Sequence, residues 1–226
     1  MVDQLTPSEG RVVLHLFLRA AGADGEALSA VLKGTESVDV VTFVLLGHKA
    51  DFGIMALGDD MWSVRRFQTQ VAATGVEVAS SYLSLTEVSE YAKGMPEKML
   101  QTRLYPKLPP EGKNAFCFYP MSKRRNVGAN WYEEPYERRD ALMRAHGATG
   151  RTFAGRVVQL ITGSTGLDDY EWGVTLFAQR PDDLKEVVYT MRFDEASARY
   201  AEFGPFYTGA VAPIDEVLRA VGLAGG

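Results

Sequence analysis

A chain of 226 residues, 46% hydrophobic and 23% charged, has ordinary globular composition and enough length to bury a core without covalent staples. The net charge of -5 gives no support to a nucleic-acid partner, whose phosphates favour a basic face, and the one basic cluster, Lys123-Arg124-Arg125, reads as a solvated surface. A single cysteine, Cys117, excludes an intramolecular disulfide, and the polar start MVDQLTPSEG lacks the apolar run of a signal peptide, so no membrane insertion and a cytoplasmic location are expected.

Arg11 to Leu18 reads as a buried strand, followed by a helix at Gly25 to Leu32 and strands at Val38 to Leu46 and Phe52 to Leu57. Met61 to Ala73 has helical spacing, with Asp59 and Asp60 placed to serve its N-terminus, and Ser80 to Glu90 alternates as an extended segment. This β-α-β-β-α-β order is the ferredoxin-like pattern. A long connection, Tyr91 to Lys113, carries four prolines.

The order then recurs. Asn114 to Tyr119 is a strand, Glu134 to His146 a helix, and Arg156 to Thr162 and Glu171 to Ala178 are strands. Pro181 to Arg192 is a helix with proline in its first turn, Pro205 to Gly209 a short strand, and Pro213 to Val221 a closing helix. Ala50 to Leu57 and Tyr170 to Phe177 share a texture in which each has glycine at its fourth position. The expected fold is therefore α+β: two tandem ferredoxin-like repeats, roughly one hundred and twenty residues apart, forming a dimeric α+β barrel-type domain with antiparallel sheets. Residues 1–110 form the first half with its connecting segment, and residues 111–226 the second half, which is expected to carry the site.

The chemistry concentrates in the second half. Of three histidines, His15 lies in an apolar strand and His48 in a turn, where packing or hydrogen bonding accounts for them. His146 precedes Gly147, which suits a helix C-cap; it reads either as a surface histidine near the cap or as an iron ligand at a cavity edge. With no CxxC, HExxH or CxxCH, any metal would arrive inside a cofactor, and a heme needs only one protein ligand. Tyr119 reads as a core aromatic or, because Pro120 cannot donate to a ladder, as the last residue of its strand near a pocket rim. Cys117 reads as a small buried hydrophobe.

The runs Phe118 to Arg125, Asn130-Trp131-Tyr132, Arg144 to Gly147, Gly150-Arg151, Ala154-Gly155, Thr162 to Ser164, Asp168 to Phe177, Met191 to Glu195 and Ser197 to Tyr200 stand in a fixed order. Together they resemble the coproheme decarboxylases of the Gram-positive type, within the chlorite dismutase-like superfamily. The resemblance implies a peroxide-dependent oxidative decarboxylation of coproheme (Fe-coproporphyrin III, at once substrate and redox centre) to heme b. It implies His146 as the axial ligand of the heme iron, Tyr119 as the catalytic tyrosine and Gln159 over the distal face. Tyr119, Pro120, Met121, Ser122, Lys123, Arg103 and Ser197 match the stretch that holds the tetrapyrrole and its propionates.

Coproheme carries four propionates, and arginine is the best bidentate partner for a carboxylate, so Arg151 and Arg192 join Arg103 and Lys123 as expected cofactor-binding residues. Arg192 also reads as a helix-end cation, Lys123 as a solvated charge and Ser197 as a helix cap. Chlorite-splitting relatives carry an arginine where Gln159 stands, so that activity is not expected. The resemblance further implies hydrogen peroxide as co-substrate, a homo-oligomer (a homopentamer) and transient contact with the upstream ferrochelatase. A non-enzymatic heme-binding or heme-transfer protein, a heme peroxidase of the chlorite dismutase type and a cofactor-free monooxygenase or isomerase are the alternatives.

Overall fold

The computed structural model describes residues 4–92 and 94–223; the expected outer ends of both halves, and the first residues of the polar start, lie outside the described residues. The first repeat runs β1 (Val12–Arg19), α1 (Gly25–Gly34), β2 (Val38–Leu45), β3 (Phe52–Gly58), α2 (Met61–Ala72) and β4 (Glu77–Thr86). After α3 (Glu97–Leu104) the second repeat runs β5 (Ala115–Lys123), a small hairpin of β6 (Arg125–Asn126) and β7 (Ala129–Asn130), α4 (Tyr136–Arg151), β8 (Val157–Gly163), β9 (Trp172–Ala178) and α5 (Pro181–Met191). It ends with α6 (Glu195–Ala198), β10 (Ala201–Phe203), β11 (Tyr207–Val211) and α7 (Ile214–Ala220).

The strands pair antiparallel in the order β10-β5-β11-β2-β3-β1-β4-β8-β9, and β9 pairs back onto β5. Eight strands thus close into a barrel, with β10 a short extra neighbour of β5. Each repeat has the strand arrangement of a ferredoxin-like sheet, β4-β1-β3-β2 and β11-β5-β9-β8, and the two join edge to edge at β11–β2 and β4–β8. Closure leaves no long edge open to foreign strands.

Alternation sorts the side chains. Val13, Phe17, Val41, Phe43, Tyr82, Phe116, Phe118, Leu160 and Phe177 fill the barrel interior. The outer face of the first repeat packs Leu14, Leu16, Phe52 and Ile54 against Leu28 and Leu32 of α1 and Val64 and Phe67 of α2. The paired glycines of the two repeats share one cause: a side chain on Gly53 would overlap the ring of Phe43, and one on Gly173 would crowd Tyr82, Thr162 and Phe118. Asp60 caps α2, accepting from Trp62 N at 2.9 Å and Ser63 N at 3.2 Å, whereas Asp59 instead binds Arg11.

Several expected boundaries move. The alternating segment is β4 at Glu77–Thr86, opened by Gly75 at φ +87° and ended four residues before Glu90. The proline-bearing connection contains α3, whose only buried residue is Leu104, so it carries little apolar periodicity. The strand expected to stop at Tyr119 continues to Lys123. Pro120 is tolerated because its neighbour changes there: β11 pairs with residues up to Phe118 and β10 from Met121, so no ladder requires an N–H from Pro120, while its carbonyl still accepts from Gly204 N at 2.8 Å. The helix expected to end at His146 runs on to Arg151. Gly147 is not a C-cap, since it lacks the positive φ that such a cap adopts; the first glycine with one after α4 is Gly155.

Candidate functional site

The two repeats differ where α1 and α4 occupy corresponding places. α1 closes on its sheet through Leu28 and Leu32. α4 is sixteen residues long yet buries only Leu142, and that residue packs with Trp131, Ala196 and Tyr200 rather than with the sheet. Beneath it the outer face of the second sheet is only half covered. α5 packs Leu184 and Val187 onto Cys117, Val174 and Leu176, but Gln159 is exposed and Ile161 keeps 42% of its surface. Strand register sets these residues in rows: Gln159 beside Leu176 beside Cys117, Ile161 beside Val174 beside Tyr119, and Gly163 beside Trp172 beside Met121. The outer face of the second sheet thus keeps an open, largely apolar stretch around Ile161, on the side where α4 meets α5, a candidate slot.

His146 lies in the middle of α4 and is partly buried. Its Nδ1 is 3.1 Å from both carboxylate oxygens of Asp194 and 3.5 Å from Ser197 Oγ. Asp194 is also the N-cap of α6, accepting from Ser197 N at 3.1 Å and Ser197 Oγ at 3.2 Å. Burial works to raise the Asp194 pKa, but the His146 hydrogen bond and charge and the Ser197 donors outweigh it, and the carboxyl is held below its ordinary range. With Nδ1 engaged, Nε2 is the ring nitrogen left for a ligand.

Tyr119 is buried, its ring stacked on Phe206 at 4.5 Å and meeting Phe203 edge-on at 5.6 Å. Its hydroxyl has no hydrogen-bond partner among the described residues. Burial raises its pKa, Cys117 adds to that and Arg192 opposes it, so the phenol stays protonated at neutral pH.

The other expected residues divide. Met121 and Gln159 share the sheet face with Tyr119. Ser197 sits against His146. Arg192 caps the C-terminus of α5 with its guanidinium over Phe203 at 4.9 Å, and Arg151 ends α4 exposed. Arg103 is exposed on α3, one residue before Leu104, whose carbonyl accepts from Thr86 Oγ1 at 2.8 Å.

Lys123 is not a solvated charge: it is buried, its Nζ donates to Ala196 O at 2.9 Å and lies 4.3 Å from the Trp131 ring centre. Burial lowers its pKa to about 8, with Asp194 and Glu171 opposing. Pro120 and Ser122 alternate to the opposite face from Tyr119, and Ser122 Oγ accepts from Glu171 N at 3.2 Å.

The role of Asp194 goes beyond its place in the Met191 to Glu195 run. The signal was there, an aspartate three residues before a serine at a helix start. Ile161 and Phe206 carry no comparable local signal, because their importance depends on where α4 and β11 settle. Among the described residues no group of three or more His, Cys, Asp or Glu is placed to hold a bare metal ion, and no helix is long and apolar enough to cross a membrane.

A family model described as chlorite dismutase matches residues 19–212. A coproheme decarboxylase of Staphylococcus carnosus (strain TM300) is 39% identical over 226 residues, covering 93% of this chain and 86% of that protein. One of Staphylococcus saprophyticus is 42% identical over 189 residues, covering 79% of this chain and 75% of the relative. A longer protein of Natronomonas pharaonis, provisionally named as heme-binding, is 45% identical over 195 residues; these are 79% of this chain but 32% of that protein, so the chain spans about a third of its length.

Among solved structures, a heme-binding protein from Thermus thermophilus superposes with a TM-score of 0.85 at 35% identity, over 98% of this chain and 99% of that one. A mutant chlorite dismutase from Candidatus Nitrospira defluvii reaches a TM-score of 0.79 at 18% identity, over 95% and 97%, a likeness of fold alone. With the family model over most of its length and relatives of this identity spanning most of both chains, the protein belongs to the chlorite dismutase family.

Proposed function

We propose that this protein binds coproheme in the slot under α4 and oxidatively decarboxylates two of its propionates to vinyl groups, giving heme b. Hydrogen peroxide is the oxidant: each propionic acid and one peroxide become a vinyl group, carbon dioxide and two waters. What supports the reading is a histidine oriented through Nδ1 together with a buried tyrosine whose hydroxyl has no hydrogen-bond partner among the described residues. The residues fit an iron porphyrin. An apolar floor that keeps Ile161 open suits a macrocycle, His146 offers one nitrogen, and Asp194 fixes its tautomer and makes it a stronger donor.

When bound, the iron porphyrin supplies the oxidising capacity that peroxide delivers. His146 would hold the group through Nε2. Tyr119 would give up an electron and its proton to the oxidised site and, as a neutral phenoxyl, take hydrogen from a propionate side chain. Gln159 would offer the group an amide that carries no charge. Met121, Arg103, Arg151, Arg192 and Ser197 serve the tetrapyrrole and its carboxylates; Lys123 steadies α6 through the Ala196 carbonyl, and Pro120 and Ser122 act from the face opposite Tyr119 by holding β5 in place. In this reading residues 111–226 form the half that carries the site, residues 1–110 support it, and the protein works in the cytoplasm as a homopentamer that receives coproheme from a ferrochelatase.

The test is titration of the coproheme complex with peroxide and mass analysis of the porphyrin. Stepwise loss of two carboxyl groups is expected. A porphyrin that is bound but unchanged would leave a heme-binding or heme-transfer protein, the reading favoured by the names of the Natronomonas and Thermus relatives.

A further inference from the structure

The ring of Tyr119 rests on Phe206, stacked at 4.5 Å with 24° between the planes. Phe206 lies in the short connection between β10 and β11, outside both of their ladders with β5. Gly204 N ties one end of that connection, donating to Pro120 O at 2.8 Å. The other end is tied from the first repeat: Lys49 Nζ donates to the carbonyl of Phe206 at 2.6 Å, across 157 residues of sequence. A cavity of ≈ 230 Å³ opens here, lined by Leu46, His48, Lys49, Phe206 and Tyr207 among others, so close packing does not hold the Phe206 backbone on this side. The lysine is itself well placed. It stands in the turn between β2 and β3, where Gly47 adopts φ +98°, and the turn is pinned by Leu45 N on Asp51 O and Leu46 N on Thr208 O, both at 2.9 Å. Its ammonium also lies 5.5 Å from the centre of the Tyr207 ring, which stacks on Phe17 at 3.7 Å. Among the described residues Lys49 forms no ion pair, so no carboxylate competes with the Phe206 carbonyl for it.

We propose that Lys49 is a positioning residue for Tyr119: by holding the Phe206 carbonyl it fixes the Phe206 ring, and through that ring the tyrosine. The inference rests on the coproheme reading, in which Tyr119 is the radical relay, and it gives the first repeat a part in the chemistry of the second. A phenol that must meet one carbon of a bound substrate depends on the angle of its ring. The stacked partner sets that angle, and a charged donor is a strong tie for that partner's backbone.

The test compares the parent with Lys49→Met, which keeps the stem beside Tyr207 and removes the donor, and with Lys49→Arg, which supplies one again. In the unloaded proteins the nuclear magnetic resonances of the Tyr119 ring, assigned by their loss in Tyr119→Phe, report its stacking on Phe206 through the ring current. They are expected to move in Lys49→Met and to return toward the parent positions in Lys49→Arg. In the loaded proteins Lys49→Met is expected to slow peroxide-driven conversion about five- to tenfold with coproheme affinity within about twofold of the parent, since a misplaced reacting group costs rate rather than binding. Added to Phe206→Leu it should cost little more, because the two residues act in series. Unmoved resonances in Lys49→Met, conversion at the parent rate, a loss confined to affinity, or losses that add to those of Phe206→Leu would each overturn the proposal. Undiminished conversion by Tyr119→Phe would instead defeat the reading of Tyr119 as the relay, while the resonances of the unloaded proteins would still decide whether Lys49 positions that ring.

Discussion

At the scale of single residues, the site separates holding the substrate from transforming it. Tyr119→Phe keeps the ring between Phe206 and Phe203 and removes only the unpartnered hydroxyl. Coproheme binding is expected to weaken by no more than about 1–3 kcal/mol, the range for a hydrogen bond to a charged group, while decarboxylation stops because phenylalanine has no O–H to lose. Normal yields of the three-propionate intermediate and of heme b from this variant would exclude Tyr119 as the radical relay. His146→Ala is expected to fold, since the histidine contributes little to the core, but to lose the axial ligand-field signature in the optical spectrum of the loaded protein. Gln159 has no charge with which to hold an oxyanion, so oxygen release from chlorite is expected to be negligible; rapid evolution at low protein concentration would contradict this.

At the scale of elements, β11 is the seam that joins the second sheet to the first. Gly209 pairs with Leu45 on one side and Phe116 on the other, and a methyl group on it would run into the backbone carbonyl of Val44. Backbone on both sides cannot yield as a flexible side chain can. Gly209→Ala is expected to cost about 1–3 kcal/mol, seen as a lowered denaturant midpoint with an unchanged slope. Because β11 is preceded by Phe206, which stacks on Tyr119, the same variant should also reduce activity beyond its loss of stability. α4 presents the opposite case. It is held by Leu142 and by its neighbours α5 and α6 rather than by the sheet, so a ligand placed under it should protect its amides from hydrogen exchange.

At the scale of the whole molecule, the barrel interior carries a titratable group that opposes acid. His15 is fully buried, with Nε2 3.1 Å from Thr175 Oγ1 and Nδ1 without a partner among the described residues. Burial lowers its pKa from 6.5 to about 3. The unfolded chain therefore binds a proton in the window between those values that the folded protein refuses, so stability falls as pH drops through it and levels off below. The slope for one such group is at most about 1.4 kcal/mol per pH unit. His15→Phe should flatten the upper part of this profile, near pH 6, where carboxylates do not yet titrate; an unchanged slope there would show that His15 protonates without unfolding.

The same scales mark what was readable before folding. Periodicity decides the elements, because alternation and helical spacing are local: β3, β9 and α5 lie within a residue of their expected bounds, and the glycine shared by Phe52-Gly53-Ile54 and Trp172-Gly173-Val174 discloses the duplication. The family resemblance then picks out His146 and Tyr119, which no periodicity distinguishes from a cap and a core aromatic. Other features were decided by tertiary structure. That Pro120 stays inside a strand depends on β10 and β11 dividing one edge between them, a pairing made across some eighty residues. That Lys123 is buried depends on α6 bringing the Ala196 carbonyl to it. The slot itself exists because α4 rests on Trp131, Ala196 and Tyr200 while α1, its counterpart, sinks Leu28 and Leu32 into its sheet. A local pattern can state that a helix is weakly apolar; only packing decides whether the space beneath it is filled by the protein's own side chains or left for a ligand, since that depends on where distant elements stop one another.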